Sequence, residues 1–154
     1  MYLLGAQWRV RVAAHLVQRR LPAGVEQASQ LGPARRSGEM MRWELTFEGI
    51  PPSPNQRLNW RAKARAAKEW RTAACLKARE AGIPALERMK VSAVVYRANL
   101  GVADEDNDRS RLKACLDGVV DAGVVPRDTR KYVVWGTVTE ERGPRGLCII
   151  VEAV

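Results

Sequence analysis

Between Lys90 and Ala122 the chain changes periodicity once, and that change constrains the fold more than any other feature of the sequence. Val91, Ala93 and Val95 interleave with Val94 and Tyr96, which predicts a strand over Lys90–Asn99 buried on both faces. Gly101 then permits a turn, and Leu112, Cys115, Leu116, Val119 and Val120 recur at helical spacing until Gly123 and Pro126. A strand feeding directly into an amphipathic helix requires a sheet with that helix laid on it. At the junction stands Asp104-Glu105-Asp106-Asn107. Two carboxylates two residues apart at a strand end project to one side, and Glu105 to the other. If Asp106 or Asn107 caps the helix, its N–H groups and positive dipole end lie beside both acids. A hard divalent cation and a phosphate oxygen can meet there.

The flanking segments complete an α+β pattern. Arg42–Glu48 alternates, with Trp43, Leu45 and Phe47 on one face, and predicts a half-buried strand. Pro51, Pro52 and Pro54 take the chain out of the sheet, because proline cannot donate to a ladder. Strong helix formers run from Leu58 to Ala81, stopped by Gly82 and Pro84. Two further strands over Lys131–Glu140 and Leu147–Val151 are joined by a hairpin-type loop at Glu141–Gly146. The expected domain is therefore a mixed sheet with helices on one face, in the order β-α-β-α-β-β, over residues 40–154. Residues 1–39 read as a separate basic arm: a short amphipathic helix around Trp8, Val12 and Leu16, then a Pro- and Gly-containing linker.

Charge narrows the partners. Lys and Arg number 26 against 17 Asp and Glu, a formal +9, which favours a polyanion such as nucleic acid, although a generally basic protein fits the same balance. Arg57 through Lys90 is strongly basic, opposed only by Glu69, Glu80 and Glu87. Within it Arg61, Arg65 and Lys68 form one helical stripe, with Arg57 and Lys63 beside them. A solvated face and a phosphate-tracking face both fit that stripe. Trp60 and Trp70 are expected to pack rather than stack on bases. Cys75, Cys115 and Cys148 form no C-x-x-C pair and are expected to be small buried hydrophobes in a reducing cytoplasm. No apolar run approaches the roughly 18 residues of a membrane span.

Asp106, Ser110, Lys113, Asp117 and Asp121 step by helical intervals and share one helix face opposite the core residues. Asp117 and Asp121 sit unfavourably near the negative helix end, so salt bridges to lysine or arginine are one role open to them. A helix side chain leans toward the N-terminus, so the Lys113 ammonium is expected to reach back toward the acidic end.

The combination Pro51-Pro52-Ser53-x-Asn55, Asp104-x-Asp106-Asn107, Lys113, Asp117-Gly118, Asp121-Ala122-Gly123-Val124 and Asp128 resembles the RusA-like Holliday junction resolvases. These are metal-dependent endonucleases of phages and prophages, and the resemblance covers about residues 42–154. Where many members carry two acids, this chain has Arg127-Asp128. The resemblance implies catalytic, metal-binding acids at Asp104, Asp106 and Asp128 and an essential lysine at Lys113, with Asn107 and Asp117 supporting them. It also implies Mg2+, replaceable by Mn2+, and a homodimer that resolves four-way DNA by paired nicks in recombination and repair. Two readings compete with it: a nucleic-acid-binding protein without catalysis, and a fork or flap nuclease with relaxed structure selectivity.

Reach limits how these acids can meet. A helix over residues 107–122 is about 24 Å long, and the five steps from Gly123 to Asp128 span at most about 18 Å. Asp128 can therefore come level with Lys113 but not easily with Asp106. Either the helix begins later or a partner subunit supplies Asp128.

If the arm is dispensable, a chain beginning at Met41 should keep a cooperative thermal transition in circular dichroism. Loss of that transition would refute a domain boundary at residue 40.

Overall fold

This computed structural model describes residues 40–101 and 105–154, and at Glu105 and Asp106 the backbone alone. The arm expected over residues 1–39 and the side chain of Asp104 lie outside the described residues. The elements are β1 Arg42–Glu48, α1 Trp60–Glu80, β2 Met89–Arg97, α2 Glu105–Asp121, β3 Val133–Arg142 and β4 Gly146–Ala153. The order strand, helix, strand, helix, strand, strand is the one the periodicities predict.

The four strands form one mixed sheet in the order β1-β4-β2-β3. β4 pairs antiparallel with both β1 and β2, and β3 runs parallel to β2. Register aligns the apolar residues on one face: Leu45 opposite Ile149 opposite Ala93, and Phe47 opposite Leu147 opposite Val95. These side chains are buried with Ala74 and Ala78 of α1 and Leu112, Cys115, Leu116 and Val119 of α2 in a single core. The period-two stripe of the strands and the helical stripe of α2 are thus two sides of the same apolar layer. Burial pushes the Cys115 thiol up to about 12 and the Cys148 thiol up to about 11. All three cysteines are free. Among the described residues no helix is long and apolar enough to cross a membrane.

Two local expectations change. β3 and β4 do not form a hairpin, because β2 lies between them in the sheet. Their link therefore crosses the end of β2, where the Gly143 N–H donates to the Arg97 carbonyl at 3.0 Å. The alternation that identifies a strand says nothing about which strand it pairs with. Similarly, α2 begins at Glu105, so Asp106 and Asn107 lie inside its first turn and neither caps it. At α1 the capping residue is Asn59, whose side chain accepts the Ala62 N–H at 2.8 Å and starts the helix at Trp60.

The two helices pack against each other as well as on the sheet, and their crossing is unusually close at Gly118. A Cβ built there would collide with the Arg71 carbonyl oxygen and lie 2.8 Å from the Ala74 Cβ. Ala at this position gains about 0.5–1 kcal/mol in helix propensity, while overpacking against a rigid neighbour costs about 1–3 kcal/mol. Gly118→Ala should therefore lower stability by about 1–2 kcal/mol in urea denaturation. A stabilised variant would show that the helices separate freely.

Candidate functional site

The face of α2 that carries Ser110, Lys113, Asp117 and Asp121 is turned toward α1. Asp121, at the C-terminal end, accepts two hydrogen bonds from the Arg71 guanidinium, from Nε to Oδ2 and from Nη2 to Oδ1 at 2.7 Å. That hydrogen bonding holds the Asp121 carboxyl below the usual carboxylate range. One turn earlier, the Lys113 ammonium donates to Asp117 Oδ1 at 2.6 Å and to Asp128 Oδ2. Partial desolvation pulls the Lys113 pKa down, but the hydrogen bonds to Asp117 and Asp128 outweigh it and hold the ammonium above the ordinary lysine value. At neutral pH the lysine is charged. Its ammonium points to the C-terminal side of its own position, toward Asp117, and not back toward the acidic end as the usual side-chain lean suggests.

The proline-bearing segment joins the same place. Ser53 donates its hydroxyl to Asn107 Oδ1 at 3.1 Å, linking the Pro51–Pro54 loop to the first turn of α2. Lys63 donates from Nζ to the Pro54 carbonyl at 3.1 Å, linking that loop to α1. Between loop, α1 and α2 lies an open cleft of about 290 Å³, with Trp70, Ser110, Lys113 and Asp117 among its walls. Ser53, Lys113 and Asp117 therefore line one groove, with Asn107 bonded to the first and Asp128 to the second.

Asp104 lies outside the described residues, and of Asp106 only the helical backbone is described. Asp106 is seven residues before Lys113, about 10 Å of helix rise. Asp128, held at Lys113 within the same chain, is thus well removed from Asp106 along α2. The late helix start that would shorten this gap does not occur. Asp117 and Asp128 converge on a single cation, and two converging carboxylates are a donor set that also suits hydrated Mg2+. Among the described residues no three or more His, Cys, Asp or Glu side chains are grouped to hold a metal.

Of the basic candidates, Arg57, Arg61, Arg65 and Lys68 are exposed, the last three along one stripe of α1. Lys63 is also exposed but lies on the cleft side. Trp70 packs as expected, its ring 5.6 Å from that of Phe47. Trp60 does not: it is 71% exposed, with the Arg61 guanidinium 4.7 Å over its ring.

The sequence reading missed a buried ion cluster beneath the first turns of α2. Asp108 is 4% exposed and pairs with Arg97 of β2 at 3.2 Å and with Arg111 at 3.4 Å. Arg97 in turn pairs with Glu140 of β3 at 3.2 Å. Burial lowers the Arg111 pKa, with Asp108 acting against the shift. A signal was present: Asp108 begins the stripe continued by Leu112, Cys115 and Val119, and Arg97 shares the strand parity of Val91, Ala93 and Val95. A charge on core parity requires a buried counter-charge.

No family model matches the chain. It is 30% identical over 117 residues to an uncharacterized protein of Xylella fastidiosa (strain Temecula1 / ATCC 700964), over 73% of this chain and 75% of that one.

The two kinds of ion pair should respond differently to mutation. Asp108→Ala leaves the largely buried Arg111 guanidinium without its carboxylate and should cost about 3 kcal/mol or more, whereas Asp121→Ala, which breaks an exposed pair, should cost about 1 kcal/mol or less. Denaturant titration of both variants reads the difference, and equal losses would contradict this assignment of burial.

Proposed function

The chain belongs to one family with that Xylella fastidiosa protein, and we propose that it acts as a magnesium-dependent, structure-selective endodeoxyribonuclease. In this reading it resolves four-way DNA junctions in recombination and repair by paired phosphodiester hydrolysis. The observation that carries the reading is that the proline loop and the Asp128 segment both reach the candidate face of α2, Ser53 at Asn107 and Asp128 at Lys113 beside Asp117. Helical spacing accounts for Asn107, Lys113 and Asp117, but Ser53 and Asp128 are members of the RusA-like pattern that come from separate segments and that chain proximity alone would not bring to this helix. The basic stripe Arg61, Arg65 and Lys68, with Arg57, supplies an exposed track for phosphates. Cys115 and Cys148 are buried as expected and Cys75 is only half-buried, and all three thiols, being free, suit a reducing cytoplasm.

Each residue has a task in this chemistry. Asp104, Asp106 and Asp128 would hold the ion, Asp128 reaching either its own chain's acids by rearrangement or those of a partner subunit in a homodimer. When bound, Mg2+ supplies a lowered pKa for the attacking water and neutralises charge on the leaving 3′-oxygen. Lys113, kept protonated by Asp117 and Asp128, offsets the charge that grows on the phosphorane oxygens. Asn107 and Ser53 tie the proline loop to the helix end that carries Asp106. Asp117 holds the lysine when Asp128 moves toward the ion.

One observation favours a second reading, a nucleic-acid-binding protein without catalysis. Asp117 and Asp128 share Lys113 as a partner, and Asp121 pairs with Arg71, as purely structural ion pairs would. A labelled four-way junction incubated with full-length protein, with and without Mg2+, separates the two. Cleavage should require the ion, disappear in Asp104→Asn, and fall about 10²–10³-fold in Lys113→Ala. Junctions that are bound but never cut would establish the second reading, and equal cutting of forks and flaps a relaxed nuclease. Mg2+ should also raise the melting temperature of the wild type more than that of Asp106→Asn, because it relieves repulsion between clustered carboxylates.

A further inference from the structure

We infer that the cleft between α1, α2 and the proline loop receives one unstacked nucleobase from the DNA strand whose backbone lies at Lys113. The inference rests on DNA being the substrate. Its first support is shape. The cleft of about 290 Å³ is open to solvent on one side, and it lies near the lower bound of about 300 Å³ for small-ligand pockets. It has room for one flat ring system with its sugar and none for a base pair.

The second support is the lining. Pro51, Pro52, Ala67, Trp70 and Ala114 present apolar surface without a charge, the surface a base face requires when it leaves its neighbours. Ser110 adds a hydroxyl that can pair with a base edge, while that of Ser53 is bonded to Asn107 and to the Asn55 N–H. The third support is charge. Of the cations that line the cleft, Arg111 is paired with Asp108 and Lys113 with Asp117 and Asp128. Lys63 instead donates to the neutral Pro54 carbonyl, so an apolar group carrying phosphate meets an ammonium whose charge no carboxylate among the described residues offsets. A neutral apolar ligand or an acidic-face peptide would leave one of these two properties unused.

The position of Lys113 joins the cleft to the proposed reaction. A phosphate placed at its ammonium has its own nucleotide, or the adjoining one, level with the cleft, since Lys113 and Asp117 form part of the wall. A base inside continuous duplex must break its stacking and pairing to enter, while a base at a branch point has already lost part of both. The cleft thereby favours branched DNA over duplex and gives the enzyme a local sequence preference around the cut phosphate.

The test uses full-length protein in EDTA, so that binding is read apart from cutting. Four-way junctions carrying 5-iodouracil at single positions around the branch are bound and irradiated, and the cross-linked residue is mapped by mass spectrometry. The expected result is a dominant cross-link to Trp70 from one position per strand. Ala67→Phe, at an exposed position on the cleft wall, should cut that cross-link at least about tenfold and weaken junction affinity by about 5- to 150-fold, the worth of a single stacked base. Ser110→Leu is a second filling variant should the first fold poorly. Cross-links confined to the exposed Trp60, or a Trp70 cross-link that survives filling, would overturn the inference. Junctions that cross-link at Trp70 yet stay uncut with Mg2+ would remove the nuclease reading and leave the base site standing. Junctions that are cut without a Trp70 cross-link would remove the base site alone, and absence of DNA binding would remove both.

Discussion

The close approach of α1 and α2 at Gly118 governs the geometry of everything on the helical side of the sheet. With a hydrogen in place of a side chain, the α2 backbone comes against the Arg71 carbonyl and the Ala74 methyl. One turn further on, the same approach brings Arg71 to Asp121. In the other direction the helices flank a space wide enough for the cleft that holds Trp70 and Lys113. Close-packed interiors transmit such a constraint because the surrounding side chains have little room to adjust. A single absent Cβ therefore sets both the tight end and the open end of the groove.

Charge is distributed in two layers with different physical roles. Beneath α2, Asp108 is buried and Arg97, Arg111 and Glu140 are half-buried around it, so their value is geometric: such a pair offers little net stability, but losing one partner is costly. Such a cluster pins the helix end that carries Asp106 to β2 and β3. Above α2, Lys113, Asp117 and Asp128 are accessible to solvent, where exchange of one cation for another is inexpensive. A rigid base under a solvent-accessible ionic layer matches what the proposed hydrolytic site on DNA would require, with orientation supplied from below and charge compensation from above.

The proline loop gains a purpose in this setting. Pro51, Pro52 and Pro54 cannot join a strand ladder, and they leave β1 for the groove instead. There Ser53 reaches α2 and the Pro54 carbonyl receives Lys63 of α1. One short segment thus bridges both helices and closes one side of the cleft.

Much of the fold was legible in the chain itself. Arg42–Glu48 forms a strand with the predicted bounds, and the six elements come in the predicted order, because side-chain periodicity and turn residues act within a few residues of one another. The candidate face of α2 was equally readable, since helical spacing alone places Ser110, Lys113, Asp117 and Asp121 together. Other features depended on contacts between distant segments. β2 separates β3 from β4 although a short turn joins them, because pairing follows the match of whole apolar faces rather than the length of the link. Lys113 turns toward Asp117 because Asp128, brought by a separate segment, adds a second negative partner on that side. Local pattern determined which residues form strands, helices and faces. Only the folded arrangement decided which of those faces meet, since that depends on burial and charge compensation summed over segments the sequence keeps apart.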